Sequence, residues 1–213
     1  MKNSPSNWSR NLGLSLFGLL LLLNFGCGSG ELPILNRQVE KDGELVYRTI
    51  PTFSFINQDS QVVNNETFRE KAYVVDFFFT SCPTICPTLA QQMLRIYEHF
   101  GTEPSLALLS HTIDPKRDSV AKLAHYADNL GVKSDRWHFV TGDKAELFDI
   151  ADDYFNIVIE NADVPEGLDH SGRLVLVDQD KHIRAYCDGT DPKAVDQFIV
   201  KIEQLLAEEK KVD

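Results

Sequence analysis

A nearly continuous run of β-branched and aromatic residues, AYVVDFFFT at positions 72–80, constrains the fold of this chain more than any other feature. Such a run is typical of a strand that is buried on both faces of a sheet. From Thr88 onward the pattern becomes that of an amphipathic helix, because apolar residues recur at helical spacing. The apolar stripe consists of Leu89, Met93, Ile96, Tyr97 and Phe100. A buried strand followed at once by a helix predicts an α/β fold.

Strand and helix patterns continue to alternate along the rest of the chain. The runs SLALLS and WHFVTG predict further strands, and DSVAKLAHYADNLG and DKAELFDIADDYF predict helices. RLVLVD and HIRAYC predict a hairpin, which a closing amphipathic helix follows. Upstream, PTFSFIN and QVVN predict two short strands joined by a turn. We therefore expect a central mixed β-sheet flanked by helices, with an N-terminal β-hairpin extension.

The N-terminus has the features of an export signal. Lys2 and Arg10 accompany an apolar run, 12–25, that ends just before a Gly-Cys-Gly sequence. The run of about fourteen residues is short for a bilayer span of roughly 20, but it has the length of a secretory signal. The following cysteine, Cys27, resembles the acylated residue of a bacterial lipoprotein.

These features divide the chain into three predicted parts. Residues 1–26 form a lipoprotein-type signal peptide, 27–45 a tether, and 46–213 the folded domain. We expect the protein to be exported and anchored to the bacterial cell membrane by the lipid on Cys27, with its domain on the periplasmic or extracytoplasmic side. An uncleaved anchor or a plain signal peptide is the alternative.

The charge of the chain limits its partners. The sequence has 32 Asp+Glu against 21 Lys+Arg, and its basic residues form no stripe or cluster. Nucleic acid is therefore not an expected partner.

The four cysteines do not have the pattern of a disulfide-stapled domain. If Cys27 carries lipid, three thiols remain in an oxidising compartment, and one close pair among them does not make a disulfide framework. The pair is Cys82 and Cys86, in CPTICP, where the central strand ends and the helix begins. A helix N-terminus favours the thiolate, and sulfurs about one turn apart can form a disulfide or share one metal ion.

A soft metal ion held by two thiolates needs a further ligand, and the chain has six histidines. His170, in the loop GLDHSG before the strand 173–177, is the main candidate. We expect this loop to pack against the turn that carries Cys82 and Cys86, called here the cysteine turn. His111 follows a buried strand and is a weaker candidate. From the residues alone, a metal site and a redox pair both remain open.

Four motifs resemble a known family when they are taken in order. FFFTSCPTICP, TIDPKRDS, LDHSGRLVLVD and AYCDGTDP closely resemble the SCO/SenC proteins. The resemblance implies a thioredoxin-like fold and a membrane-tethered protein that binds copper, as Cu(I) or Cu(II), through Cys82, Cys86 and His170. It also implies delivery of copper to the CuA centre of cytochrome c oxidase. The CuA domain of subunit II is then the expected acceptor, and a copper donor protein is a further expected partner.

Other functions are compatible with part of this pattern. A thiol–disulfide oxidoreductase would use Cys82 and Cys86 alone to reduce the CuA-site cysteines of the acceptor. A thiol peroxidase would need neither the second cysteine nor His170, so we favour it least. His170 separates a copper site from a pure reductase, which does not require it. We interpret the remaining thiol, Cys187, as a small buried hydrophobic residue.

Overall fold

The computed structural model describes residues 30–160 and 168–211. The strands of this part, in chain order, are β1 (Gln38–Lys41), β2 (Glu44–Tyr47), β3 (Ser54–Asn57), β4 (Val62–Asn64), β5 (Ala72–Phe78), β6 (Leu106–Thr112), β7 (Trp137–Thr141), β8 (Val158–Glu160), β9 (Leu168–His170), β10 (Arg173–Val177) and β11 (Ile183–Asp188). Its α-helices are α1 (Cys86–His99), α2 (Val120–Leu130), α3 (Lys144–Asp153) and α4 (Pro192–Glu209). The predicted alternation of strands and helices is confirmed.

Seven strands form one mixed sheet in the order β11-β10-β5-β6-β7-β3-β4. β5, β6 and β7 are parallel, and the remaining neighbours pair antiparallel. Every residue of β5 and of β6 is buried, as expected for strands that are covered on both faces. The predicted mixed sheet is therefore confirmed, and the predicted N-terminal hairpin is β3–β4 at one edge of it.

The helix boundaries follow from local chemistry. α1 begins at Cys86 and has Pro87 in its first turn, where the missing N–H leaves no helical bond unmade. Ser119 caps α2 by accepting a hydrogen bond from the backbone N–H of Lys122. Gly131 ends the same helix in the left-handed conformation, with φ of 70°, as its position in the sequence predicts.

Helix α1 buries the face that the sequence pattern predicts. Leu89, Met93 and Ile96 are fully buried, whereas Tyr97 and Phe100 at the other end of the stripe are half-buried. α1 packs against α4, which also contacts β11, and α2 contacts β7 and β3. The helices therefore cover a sheet whose central strands have no solvent-facing side.

The four described strands outside the main sheet were not predicted from the sequence. β8 and β9 pair antiparallel as a separate two-stranded sheet, with Val158 opposite His170. His170 is thus the last residue of a short strand, which corrects the predicted loop position. β8 and β9 have three residues each, too few for a two-residue alternation to be recognised.

The later part of the predicted tether is folded onto the domain. Leu32 is buried, and its backbone N–H donates to Oε1 of Glu208 at 2.8 Å. The backbone N–H of Leu35 donates to the carbonyl of Ile183 on β11, also at 2.8 Å. The domain therefore begins upstream of the predicted boundary at residue 45.

The hairpin β1–β2 spans that same boundary. Asp42 and Gly43 form its turn, with φ of 54° and 84°, and a type I′ turn needs positive φ at both central residues. The predicted signal peptide, 1–26, and the predicted lipidation site, Cys27, lie outside the described residues. Among the residues described, no helix is both long enough and apolar enough to cross a bilayer.

Candidate metal centre

The candidate metal centre lies at the end of the sheet where β5 ends and β10 begins. β10 is antiparallel to β5, with Val175 opposite Val75 and Val177 opposite Tyr73. The chain that leaves β5 and the chain that enters β10 therefore meet at one edge of the sheet. β5 leads into the cysteine turn, and β10 follows the short strand that carries His170.

The cysteine turn joins the end of β5 at Phe78 to the start of α1 at Cys86. Its two thiols differ in exposure. The backbone N–H of Cys82 donates to the carbonyl of Phe79 at 3.2 Å. Cys82 is half-buried, and its Sγ lies 3.4 Å from Oγ1 of Thr84. Cys86 is the first residue of α1 and is only 3% exposed. The first turn of α1 contains no acidic side chain, so no carboxylate there competes with a sulfur for the positive end of the helix dipole.

His170 reaches the cysteine turn from β9. Its Nε2 lies 3.4 Å from Sγ of Cys86, within hydrogen-bond range for sulfur. Its ring packs edge-on against Phe79, with ring centroids 6.3 Å apart, and the residue is 7% exposed. Among the described residues, Nδ1 of His170 has no hydrogen-bond partner. The ring is therefore held by packing and by its contact with the thiol.

A tight turn after His170 brings β9 against the cysteines. Gly172 has φ of 64°, a conformation that favours glycine. A Cβ at Gly172 would lie 3.4 Å from Cδ1 of Ile85, so this turn contacts the residue before Cys86 directly. The backbone N–H of Gly189 donates to the carbonyl of Gly172 at 2.9 Å, which ties the turn to the chain that follows β11.

Cys82, Cys86 and His170 form a group that could hold a metal ion. Each offers one ligand atom, and these three atoms all lie within 4.8 Å of one another. In the described part of the chain, no other set of three cysteine, histidine or acidic side chains is arranged in this way. The structure thus brings together the three residues that the sequence analysis singled out, although 84 positions separate Cys86 from His170.

The two thiols differ in acidity. Burial opposes ionisation of Cys82, but hydrogen bonds from His170, Thr84 and Cys86 outweigh it and lower the pKa of Cys82 to about 5. Burial raises the pKa of Cys86, and the neighbouring Cys82 sulfur raises it further. The metal-free, reduced pair therefore combines an accessible thiolate with a buried thiol.

His111, the weaker histidine candidate, does not join this group. It is fully buried, stacked on Phe77 with centroids 5.0 Å apart and edge-on to Phe55 at 5.3 Å. Neither ring nitrogen has a hydrogen-bond partner among the described residues, and burial lowers the pKa of His111 to about 3. His111 is thus a neutral core residue, because its strand turns this side chain inward rather than toward the sheet edge.

Cys187 is a free, half-buried thiol on β11, opposite Leu174. Burial raises its pKa to about 12, so it stays a neutral thiol at physiological pH. Cys187 is therefore less buried than the sequence analysis predicts, and its packing as a small hydrophobic residue stays a prediction.

The family model of SCO1/SenC matches residues 42–207. The chain belongs to the SCO1/SenC family. A SCO1 protein homolog of Bacillus subtilis is 26% identical over 189 residues, which cover 87% of this chain and 92% of the relative. A protein of Stutzerimonas stutzeri described as copper-binding is 30% identical over 144 residues, which cover 65% of this chain and 69% of the relative.

Solved Sco structures have the same fold. A SCO1/SenC family lipoprotein from Bacillus anthracis superposes with a TM-score of 0.67 at 23% identity, over 74% of this chain and 95% of the other. BsSco belongs to the Sco family of cytochrome c oxidase assembly proteins, and a disulfide switch has been identified in it. It superposes with a TM-score of 0.65 at 25% identity, over 83% of this chain and 98% of the other. Copper-bound ScoI of Bradyrhizobium japonicum superposes with a TM-score of 0.61 at 18% identity, over 74% of this chain and 99% of the other. These structures confirm the predicted thioredoxin-like fold.

Proposed function

We propose that this SCO1/SenC protein binds copper through Cys82, Cys86 and His170 and delivers it to the CuA centre of cytochrome c oxidase. The observation that carries the proposal is the convergence of two thiols and one imidazole, whose ligand atoms lie within 4.8 Å of one another. The relatives support the choice of copper and of the oxidase. ScoI of B. japonicum was solved with copper bound, and BsSco belongs to a family of cytochrome c oxidase assembly proteins.

The donor atoms suit a copper ion that must be released again. Thiolates prefer soft ions such as Cu(I), and an imidazole also suits Cu(II). Three protein ligands leave room for a thiolate of the acceptor, so copper can leave by stepwise ligand exchange. Cys82 is the most accessible of the three ligands, whereas Cys86 and His170 are buried. An acceptor thiolate is therefore expected to replace Cys82 first.

The same two cysteines can also form a disulfide, which would remove both thiolates from the copper site. In an exported protein this oxidised state is accessible. Copper loading then requires the reduced dithiol, and the disulfide acts as a switch that decides whether copper binds. A disulfide switch has been identified in BsSco.

A second candidate function is reduction of the disulfide between the CuA-site cysteines of the acceptor. The unequal thiols favour it, because Cys82 is accessible with a lowered pKa and Cys86 is buried with a raised one. The Cys82 thiolate would attack the acceptor disulfide and form a mixed disulfide. Cys86 would then attack the Cys82 sulfur, leaving a Cys82–Cys86 disulfide and a reduced acceptor. This route needs no metal ligand, and His170 contributes to it only through the hydrogen bond that lowers the pKa of Cys82.

One experiment separates the two functions. Copper-loaded protein is mixed with the reduced, copper-free CuA domain of subunit II, and reduced copper-free protein is mixed with the oxidised domain. His170→Ala is compared with the parent, and His125→Ala, which removes an exposed histidine of α2, is the matched control. We expect the parent and His125→Ala to metallate the reduced domain. We expect His170→Ala to fail to transfer copper and still to reduce the oxidised domain, at a lower rate because the pKa of Cys82 rises without the His170 hydrogen bond.

The opposite results would assign the function differently. If His170→Ala transferred copper as well as the parent, the imidazole would not be part of the delivery site. If no form transferred copper but all reduced the oxidised domain, the protein would be an oxidoreductase.

We also propose that the protein works on the extracytoplasmic side of the bacterial membrane, held by a lipid on Cys27. The sequence pattern around Cys27 supports this location, and the B. anthracis relative is a lipoprotein. The membrane would then hold the chain near the CuA domain and near a copper donor protein.

A further inference from the structure

A buried carboxylate, that of Asp118, joins the segment that enters the cysteine turn to the end of β6. Asp118 has no exposed surface. Its Oδ2 accepts hydrogen bonds from the backbone N–H of Thr80, at 3.0 Å, and from Oγ1 of Thr112, at 2.6 Å. Its Oδ1 accepts a hydrogen bond from Oγ1 of Thr80 at 2.5 Å. Three donors from two strand ends thus converge on one side chain.

The position of these donors connects Asp118 to the candidate metal centre. Thr80 lies between the end of β5 and Cys82, and Thr112 is the last residue of β6. The backbone N–H of Ile113 also donates to the carbonyl of Phe78 at 2.9 Å. The segments that leave β5 and β6 therefore stay paired at the end of the sheet. Asp118 therefore holds the segment that enters the cysteine turn, and it does so without touching a ligand atom.

The burial of Asp118 makes this attachment stiff. The Nζ of Lys122 lies 3.6 Å from Oδ1, on a side chain that is 42% exposed, so this contact is weak. Removal of polar oxygen atoms from water is costly unless hydrogen bonds replace their hydration. The threonine donors supply these bonds, and any displacement of Thr80 would leave buried oxygen atoms unsatisfied.

We propose that Asp118 is a positioning residue that fixes Cys82 relative to Cys86 and His170. Cys86 is held by α1 and His170 by β9, whereas Cys82 lies in the turn, only two residues after Thr80. Loss of the carboxylate frees the start of this turn and moves the Cys82 sulfur. A test of this role by copper binding rests on the proposed copper site. A test by formation of the Cys82–Cys86 disulfide does not.

Three variants and a control test the role of Asp118. Asp118→Ala removes both acceptor oxygens, and Thr80→Val removes one hydroxyl but keeps the backbone bond. Asp118→Asn is the rescue variant, because its amide oxygen can accept from Thr80 N–H and Thr112 while its amide nitrogen donates to Oγ1 of Thr80. Ser119→Ala is the matched control, since it removes the adjacent cap of α2 and leaves the Asp118 bonds in place.

Two readouts are measured on each reduced protein, after circular dichroism has shown that it is folded. The first is copper binding, as Cu(I) affinity and as the thiolate-to-Cu(II) charge-transfer spectrum. The second is the equilibrium constant for formation of the Cys82–Cys86 disulfide in glutathione buffers. We expect Asp118→Ala to shift the spectrum, to weaken copper binding by about 10-fold to 100-fold, and to change the disulfide constant. Asp118→Asn and Ser119→Ala should stay close to the parent in both.

Each outcome decides the matter. A folded Asp118→Ala variant with the parent's spectrum, copper affinity and disulfide constant would overturn the proposal. The proposal would also be overturned if Ser119→Ala changed the copper affinity and the disulfide constant as much as Asp118→Ala does. A general loosening of the start of α2 would then explain both variants. If Asp118→Ala does not fold, Thr80→Val takes its place and should change both readouts in the same direction to a smaller extent. If the parent binds no copper, the proposed function fails and the disulfide constant alone tests Asp118.

Discussion

Nε2 of His170 and Sγ of Cys86 lie 3.4 Å apart although 84 positions separate them in the chain. Three features bring them together: antiparallel pairing of β10 with β5, the start of α1 at Cys86, and the left-handed turn at Gly172. Only the start of α1 lies within the cysteine motif itself. The donor set is therefore a product of the folded sheet.

The accessible thiol should react first. In the reduced, copper-free protein the pKa of Cys82 is lowered to about 5, so its thiolate predominates above that pH, whereas Cys86 stays protonated. We expect iodoacetamide to modify Cys82 before Cys86, at a rate that changes little between about pH 6 and about pH 8, whereas an ordinary cysteine with a pKa near 8.5 speeds up through this range. Peptide mass spectrometry after timed quenching measures the order. Equal rates at both cysteines, or a rate for Cys82 that rises tenfold per pH unit, would contradict the assignment.

The buried imidazole of His111 should make the protein less stable in acid. Its pKa is about 3 in the folded protein and 6.5 in an exposed reference, so between these values the unfolded chain binds one more proton. The free energy of unfolding must then fall as pH decreases through this window, by about 1.4 kcal/mol per pH unit for this group. His111→Phe removes this contribution, and the stability difference between variant and parent should grow steadily below about pH 6.

Urea unfolding of both proteins at several pH values between about 4 and 7 measures that difference. Asp76 contributes with the opposite sign, because burial raises its pKa to about 6 and the folded state then holds the extra proton between its unfolded and folded pKa. This contribution is common to both proteins and cancels in the comparison. A difference that does not depend on pH would mean that His111 is not kept neutral by the fold.

Gly189 should not tolerate a methyl group. A Cβ there would lie 2.5 Å from Cδ2 of Leu89 and 2.7 Å from Cγ of Leu174. We expect Gly189→Ala to lower the free energy of unfolding by about 1–3 kcal/mol, the usual effect of overpacking a core. Gly30→Ala is the control, because a Cβ at Gly30 meets nothing within 4 Å. Urea unfolding compares the two, and equal stability would show that the contact around Gly189 relaxes freely.

Cys27 should carry the membrane anchor. The apolar run before it and the Gly-Cys-Gly sequence predict acylation of its sulfur. We expect the parent expressed in bacteria to incorporate labelled palmitate and to sediment with membranes, and Cys27→Ser to lose the label. Cys187→Ser, which removes a half-buried thiol of the domain, is the control and should keep the label. Equal labelling of the parent and of Cys27→Ser would place the anchor elsewhere.

The sequence allowed the main sheet to be predicted because its strands have strong local signals. β5 and β6 are rich in apolar residues and fully buried, and Gly131 marks the end of α2. The cysteine pair could be placed at a helix start for the same reason. The hairpin β1–β2 was missed although Asp42-Gly43 is a good type I′ turn sequence, because the polar residues around it favoured a tether.

Contacts between distant segments were harder to predict. His170 could be placed near the cysteines only through the expected sheet order and the family resemblance, and its strand β9 is too short to be recognised. The role of Asp118 depends on Thr80 and Thr112, which belong to the ends of two other strands. The weaker candidate, His111, could not be excluded from the sequence, because the sequence does not say whether a residue near a strand end points into the core or toward the sheet edge.

Copper binding by the reduced protein shows most directly whether Cys82, Cys86 and His170 form a copper site. Cu(I) and Cu(II) are titrated against chelators of known affinity into the parent, His170→Ala and the control His125→Ala. We expect the parent and His125→Ala to bind one copper tightly per chain. We expect His170→Ala to lose more Cu(II) affinity than the roughly 100-fold loss that follows from changes outside the ligand set. If His170→Ala bound Cu(II) as tightly as the parent, His170 would not be a copper ligand.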